Sequence, residues 1–520
     1  MPKPNTFDEL EFKLVADMEN PADAPNPENP FRILILGDFS GRKNRGVSPS
    51  GIAWANQRPI RVDRDNFDSV LAELLIGLEL RVIGKTAPFV SIRFSELEDF
   101  HPDHLYERLE VFQALKDTRK SLENPATFAA VAGGLKGVRS HSETTVPPLK
   151  SEKRTAEKTG PVSGNLLDQI ISQTPEEKAN TDPNTPPSEW QSFLQGIVRP
   201  HLVSDPHPRQ VEMLAAVDAA AGELMRMILH HPDFMALEAA WKGLYFLVSR
   251  LETDALLKLY VLDMSKEELA VDLGNVENLR ATGLYRLLVE QSIETPGGEP
   301  WAVLIGNYHF EKRYEDIDFL GRIAKIARAS GAPFIAAASD KMVCQTSLAK
   351  TPDPDDWGQT ATPEAAQAWQ ALRALPEAAY LGLVLPRFLL RLPYGADTEP
   401  VEAFVFEEMH SPLDHETYLW GNASFACALL LGQAFSLNGW QLRPGDLLDV
   451  NNLPIYIRKD NAESKLLPCA ETLLSQRAAE TILDTGLMPL LSFLNQDTVR
   501  LARFQAIAAP LCRLAGRWEE

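Results

Sequence analysis

Between Gly133 and Pro208 the sequence loses its apolar rhythm: Ser, Thr, Lys, Glu and Pro dominate, with prolines at 147, 148, 161, 175, 183, 186 and 187. Proline withholds a backbone donor and biases its neighbour toward extended conformations, so such a stretch reads as a linker rather than core. It divides a 520-residue chain in which 44% of residues are hydrophobic, enough for two or more cores. The expected organisation is an acidic, proline-punctuated segment over 1–30, a first module over 31–132, a linker over 133–208 and a second module over 209–520. Inside the linker, Leu166, Leu167, Ile170 and Ile171 share one face of a two-turn amphipathic helix over 165–172. That is too short to stand alone, so it folds on a partner or docks on its own chain.

In the first module, Phe31 to Leu36 is a β-branched and aliphatic run stopped by Gly37-Asp38, the mark of a buried strand. Ile60 to Val62 gives another strand. Asp65-Asn66 cap a helix in which Phe67, Val70, Leu71, Leu74 and Leu75 share a face. Val82 and Phe89 to Phe94 add strand signals, and Leu105, Leu109, Phe112 and Leu115 recur at helical spacing to about Leu122, with Asn124-Pro125 opening a further short helix. The second module begins with an amphipathic helix from about Gln210 to Leu229 and continues with another through Trp241 to Leu251. Strands follow at Leu257–Leu262, Trp301–Ile305 and Phe334–Ala337, and the helix from Ile317 to Ala329 makes the last two a crossover unit. The fold class expected is α/β with α+β elements.

Lys and Arg total 51 against 72 Asp and Glu, a net charge of −21 that repels phosphate backbones and argues against nucleic acid as a partner. The amino terminus meets Asp8, Glu9 and Glu11 before any apolar run, unlike a signal peptide. The apolar stretch from Ala423 to Leu437 falls short of the roughly 20 residues that cross a bilayer, so it is expected to be a buried helix, with no membrane insertion. Cys344, Cys427, Cys469 and Cys512 are widely spaced and read as reduced thiols in a cytoplasmic protein.

Three strings invite a chemical reading. Gly37-Asp38-Phe39-Ser40-Gly41-Arg42 is a glycine turn after a strand, but a phosphate loop places a lysine and a hydroxyl directly ahead of a helix, and here Arg42 leads into the polar stretch Lys43-Asn44-Arg45, so a structural turn is expected. His101-Pro102-Asp103-His104 and His230-His231-Pro232-Asp233 place Pro-Asp where a helix begins, which explains them without a metal. His410 and His415, near Asp414 and Glu416, offer a general base with no accompanying nucleophile. No catalytic, cofactor or metal site is assigned, and the expectation is a protein that is not an enzyme.

Both modules resemble proteins of the type VI secretion contractile sheath. The first is similar to the small subunit (TssB/VipA) through Phe31 to Gly41, Val62 to Phe67 and Phe94 to Asp103. The second is similar to the large subunit (TssC/VipB) through His230 to Phe234, Leu237 to Leu244, Leu304 to Tyr308, Ala332 to Ser339, Leu385 to Arg387, Trp420 to Ala423 and Gly486 to Leu490. The resemblance implies a structural protomer that pairs with other sheath subunits by strand exchange, surrounds an Hcp inner tube, meets baseplate components and contracts. It also implies that Leu166, Leu167, Ile170 and Ile171 form the face gripped by a recycling AAA+ ATPase of the ClpV type. The chain departs from the family in fusing the two subunits and in stopping at Trp518-Glu519-Glu520, where large subunits continue into lattice-contact strands. Two functions therefore stand: a fused sheath protomer, or a sheath-like accessory protein that caps or regulates the sheath or baseplate without polymerising.

Overall fold

The computed structural model describes residues 28–46, 58–82, 89–123, 210–274, 278–358, 361–409, 415–460 and 463–518. The linker, its apolar island at 165–172, Asn124-Pro125, His410 and Asp414 lie outside the described residues.

The elements that organise the molecule are, in the first half, β1 (Phe31–Gly37), β2 (Ile60–Val62), α1 (Phe67–Glu73), β3 (Ile76–Leu80), β4 (Val90–Phe94), α2 (Pro102–Arg108) and α3 (Gln113–Glu123). The second half supplies helices α4 (Gln210–Leu229), α5 (Pro232–Val248), α6 (Tyr314–Ser330) and α7 (Ser424–Asn438). Its strands are β5 (Leu257–Asp263), β6 (Val303–Phe310), β7 (Phe334–Ala338), β8 (Leu381–Leu385), β9 (Asp449–Val450), β10 (Met488–Ser492) and β11 (Val499–Leu501).

Nine of these strands form one mixed sheet in the order β9-β11-β10-β8-β7-β6-β1-β5-β2. β1 is parallel to both neighbours, with Phe31 to Gly37 in register with Leu257 to Asp263 on one side and Ile33 to Leu36 with Val303 to Gly306 on the other. A parallel strand in mid-sheet needs apolar side chains on both faces, and Phe31, Ile33, Leu34, Ile35 and Leu36 are all fully buried. Each contributes about 1.5–3 kcal/mol by leaving water. Phe31 stacks on Phe435 of α7 at 4.7 Å, and Arg32, pointing to the other face, lies 3.8 Å over the Trp301 ring.

Sequence periodicity places most elements within a few residues. β6, α6 and β7 form the expected crossover, closed by Gly331 in the left-handed conformation at φ 65°. The apolar stretch is the buried helix α7, and among the described residues no helix is long and apolar enough to cross a membrane. Two local expectations change. The third strand is Ile76–Leu80, paired antiparallel with β4, rather than a strand at Val82. Leu75 does not join the apolar face of α1: the helix ends at Glu73, and Leu75 turns to φ 48° and is 77% exposed. One larger expectation also changes. The described buried residues of both halves form one contiguous core instead of separate cores, because β1 and β2 are strands of the large half's sheet.

Candidate functional site, the seam between the two halves

The seam starts at the end of β1, where the chain must turn without leaving bare donors. The Asp38 carboxylate accepts from the backbone N–H groups of Gly41 (2.9 Å), Arg42 (3.1 Å) and Lys43 (3.1 Å). Asp263, at the end of β5, accepts from Phe39 N–H (2.8 Å) and Ser40 N–H (3.1 Å). The donors that a phosphate loop would present are thus used by the protein's own carboxylates, and the glycine turn is structural. Burial, reinforced by the neighbouring Asp263 charge, pushes the Asp38 carboxyl above the ordinary range. Arg42 answers both acids nearby, lying 3.2 Å from Asp263 and 3.3 Å from Glu268.

Aromatic side chains interlock behind this turn. Trp241 on α5 donates its indole N–H to the Phe39 carbonyl at 2.7 Å and meets the rings of Phe39 and Phe67 edge-on at 5.6 Å. Phe234, one residue past the start motif of the same helix, packs on Phe94 and Phe100 at 5.9 and 5.7 Å. Such pairs add about 0.5–1.5 kcal/mol beyond burial.

The two His-Pro-Asp motifs start helices, as expected, but the capping group is the histidine itself. His101 Nδ1 accepts from Asp103 N–H at 3.2 Å, and His231 Nδ1 accepts from Asp233 N–H at 3.3 Å, each ahead of a proline at the first turn. Each motif's aspartate then reaches across the seam. Asp103 accepts from Glu402 N–H (3.1 Å) and Ala403 N–H (2.9 Å), while Asp233 accepts from the Asn44 side-chain amide at 2.7 Å. Arg119 of α3 pairs with Asp218 of α4 at 2.9 Å, and Lys43 with Glu267 at 2.6 Å.

Beneath the seam lies a buried ionic knot. Arg391 bridges Glu238 of α5 (2.6 Å) and Glu408 (2.7 Å), and all three side chains are nearly or wholly buried. Burial alone would raise the Glu408 pKa, but Arg391 in particular, with His230 and the Tyr394 N–H, holds it down to about 2. No motif marks this knot in the sequence. Its signal was available: Glu238 sits on the apolar stripe of α5 between Phe234 and Trp241, where an acid needs a buried cation.

His415 lies against Glu471 (3.0 Å), with Glu416 nearby, in a grouping that has metal-ligand proximity. Arg387 is inserted there, 2.6 Å from Glu471 and 3.1 Å from Glu416, so these carboxylates already have their cation. Glu96, Asp99 and His104 also converge, but Asp99 is taken by the Ser95 N–H and hydroxyl and by Arg108. Among the described residues His415 is therefore a hydrogen-bond partner of Glu471 beside the Arg387–Glu471 ion pair. Leu166, Leu167, Ile170 and Ile171 are outside the described residues.

A sheet completed by a strand from a separately recognisable half, with charged and aromatic locks across the join, defines a two-part α/β scaffold. Residues 211–508 match the family model described as EvpB/VC_A0108, tail sheath N-terminal domain, and residues 14–132 match that described as type VI secretion system, VipA, VC_A0107 or Hcp2. The type VI secretion system sheath protein TssC1 of Pseudomonas aeruginosa is 32% identical over 376 residues, covering 71% of this chain and 75% of that protein. The chain belongs to the type VI secretion sheath proteins, a structural family, and carries small-subunit-like and large-subunit-like regions on one polypeptide.

Proposed function

We propose that this chain is a fused sheath protomer that works in the cytoplasm, polymerising around an Hcp inner tube on a baseplate and contracting as a structural device without catalysis of its own. The observation that carries the reading is β1, the strand of the small-subunit-like region, lodged between β5 and β6 of the large-subunit-like region. A building block that already contains both subunits' strands in one sheet needs no second chain to complete its core. Neighbours would then be joined by strand exchange between sheets, a use of backbone hydrogen bonding that needs no active site. After contraction, Leu166, Leu167, Ile170 and Ile171 would present the apolar face that a ClpV-type AAA+ ATPase grips.

Electron microscopy of the purified protein, alone and with the tube protein, tests the main claim. Tubular polymers support it. A persistent monomer or small oligomer under both conditions rejects it in favour of an accessory protein that caps or regulates the sheath or baseplate. The ATPase claim has its own test: binding of the ATPase amino-terminal domain should be lost on combining Leu167→Asp with Ile170→Asp, and undiminished binding would refute it.

A further inference from the structure

We propose that the segment from Leu390 to Met409 is a proton-sensitive clasp across the seam, with His101 as its sensing group. Apart from one isolated bridge between Tyr394 and Glu399, this segment has no strand or helix; a backbone bond from Leu390 N–H to the Leu419 carbonyl (3.1 Å) anchors its start, and side chains hold much of the rest. Its root is fixed by Arg391 and Glu408 in the buried ionic knot, where Tyr394 N–H also donates to Glu408 at 2.7 Å and His230 Nε2 lies 3.4 Å from the same carboxylate. Its free part meets α2 of the other half. There Tyr106 packs on Phe404 at 4.7 Å, His101 stands edge-on to Tyr394 at 4.9 Å, and Asp103 accepts the Glu402 and Ala403 N–H groups.

His101 controls Asp103 from both ends. Its Nδ1 lone pair accepts the Asp103 N–H, which only an imidazole unprotonated at that nitrogen can do. The same Nδ1 is 3.5 Å from Asp103 Oδ2, the oxygen that accepts Glu402 N–H. Protonation at Nδ1 therefore removes an acceptor from the start of α2 and adds a donor that competes with the clasp for Oδ2.

The charged and titratable groups facing His101 come from every packed element. Asp103 and His104 lie on α2, Tyr394 and Glu399 (3.7 Å from Nε2) on the clasp, and Lys242 on α5, itself facing Glu98 and Glu238. Burial is the largest influence and outweighs the two carboxylates, so the His101 pKa is lowered. The closed clasp thus favours neutral His101. By linkage, its stabilisation is complete above the ordinary imidazole value and is lost as pH falls below it toward the depressed folded value.

Hydrogen exchange on the full chain, followed by mass spectrometry at about pH 7.5 and about pH 5.5 and corrected for intrinsic rates, reads this directly. The expected result is that peptides carrying the Glu402 and Ala403 amides lose roughly five-fold or more of their protection in acid, the scale of losing one helix cap. Peptides of β1 should be unchanged. In His101→Ser, which caps without titrating, protection should stay equal at the two pH values. Equal protection of the wild-type clasp at both pH values overturns the proposal without any variant, as does an acid loss of the same size in His101→Ser.

Discussion

Replacing Arg391 with Met gives a measurable test of the ionic knot. The substitution keeps the stem's packing and removes the one cation that serves both Glu238 and Glu408, whose side chains are 0 and 1% exposed. Breaking a buried pair by deleting one partner costs about 3–5 kcal/mol, because the two carboxylates stay out of water and lose the guanidinium they share. With a urea dependence of about 3 kcal/mol/M, the midpoint should fall by roughly 1–1.7 M. Tryptophan fluorescence reports the transition, since Trp241 lies on the same helix as Glu238. The sign of the pH effect is also determined. In the native protein Glu408, held down to about 2, contributes stability that is present above the ordinary carboxylate range and lost as pH falls toward that value. Without Arg391, burial dominates and favours the protonated acid, so the variant's deficit should shrink between about pH 7.5 and about pH 5. Adding Glu238→Met and Glu408→Met should restore most of the stability, as apolar replacement of buried ion clusters does. A loss under about 1 kcal/mol at neutral pH, or a deficit that deepens in acid, would refute the reasoning.

Other outcomes follow from the seam. Gly41→Ala places a Cβ at φ 73° and 2.5 Å from the Gly77 carbonyl, so it should cost at least about 1–3 kcal/mol in denaturant unfolding. Trp241→Phe leaves the buried Phe39 carbonyl without its indole donor and should cost about 1–3 kcal/mol, visible as a lower thermal midpoint. Among the 4 cysteines, Cys512 is exposed and the other three are buried, so a thiol reagent should modify one site in the native protein and all of them in denaturant.

Much of the architecture is legible in the chain because it is local. The apolar spacing of α4, α5 and α6 and the apolar runs of β1, β5 and β7 carry their own signal, and Gly331 carries its own stop. After the Gly37 turn Arg42 leads into Lys43-Asn44-Arg45 and not into the Lys-Ser/Thr start of a helix, which is enough to expect a structural turn, and Asp38 and Asp263 supply the physical reason. What periodicity missed was also local in cause: only Leu74 and Leu75 separate α1 from β3, so the apolar residues of the strand run on from those of the helix, and the turn at Leu75 breaks the helical face before it can be counted.

The sequence by itself determined which stretches become most of the strands and helices, and that two sheath-like regions share the chain with a polar, proline-rich stretch between them. Only the tertiary structure decided where β1 goes, which acids Arg391 and Asp263's partners answer, and that Asp103 and Asp233 cross the seam in opposite directions. The reason is that parallel pairing is made by backbone groups common to all residues, so an apolar strand advertises burial without naming its neighbours. A buried charge likewise states that it needs a partner, but the partner, here 153 residues away between Glu238 and Arg391, is chosen by the packing of the whole chain.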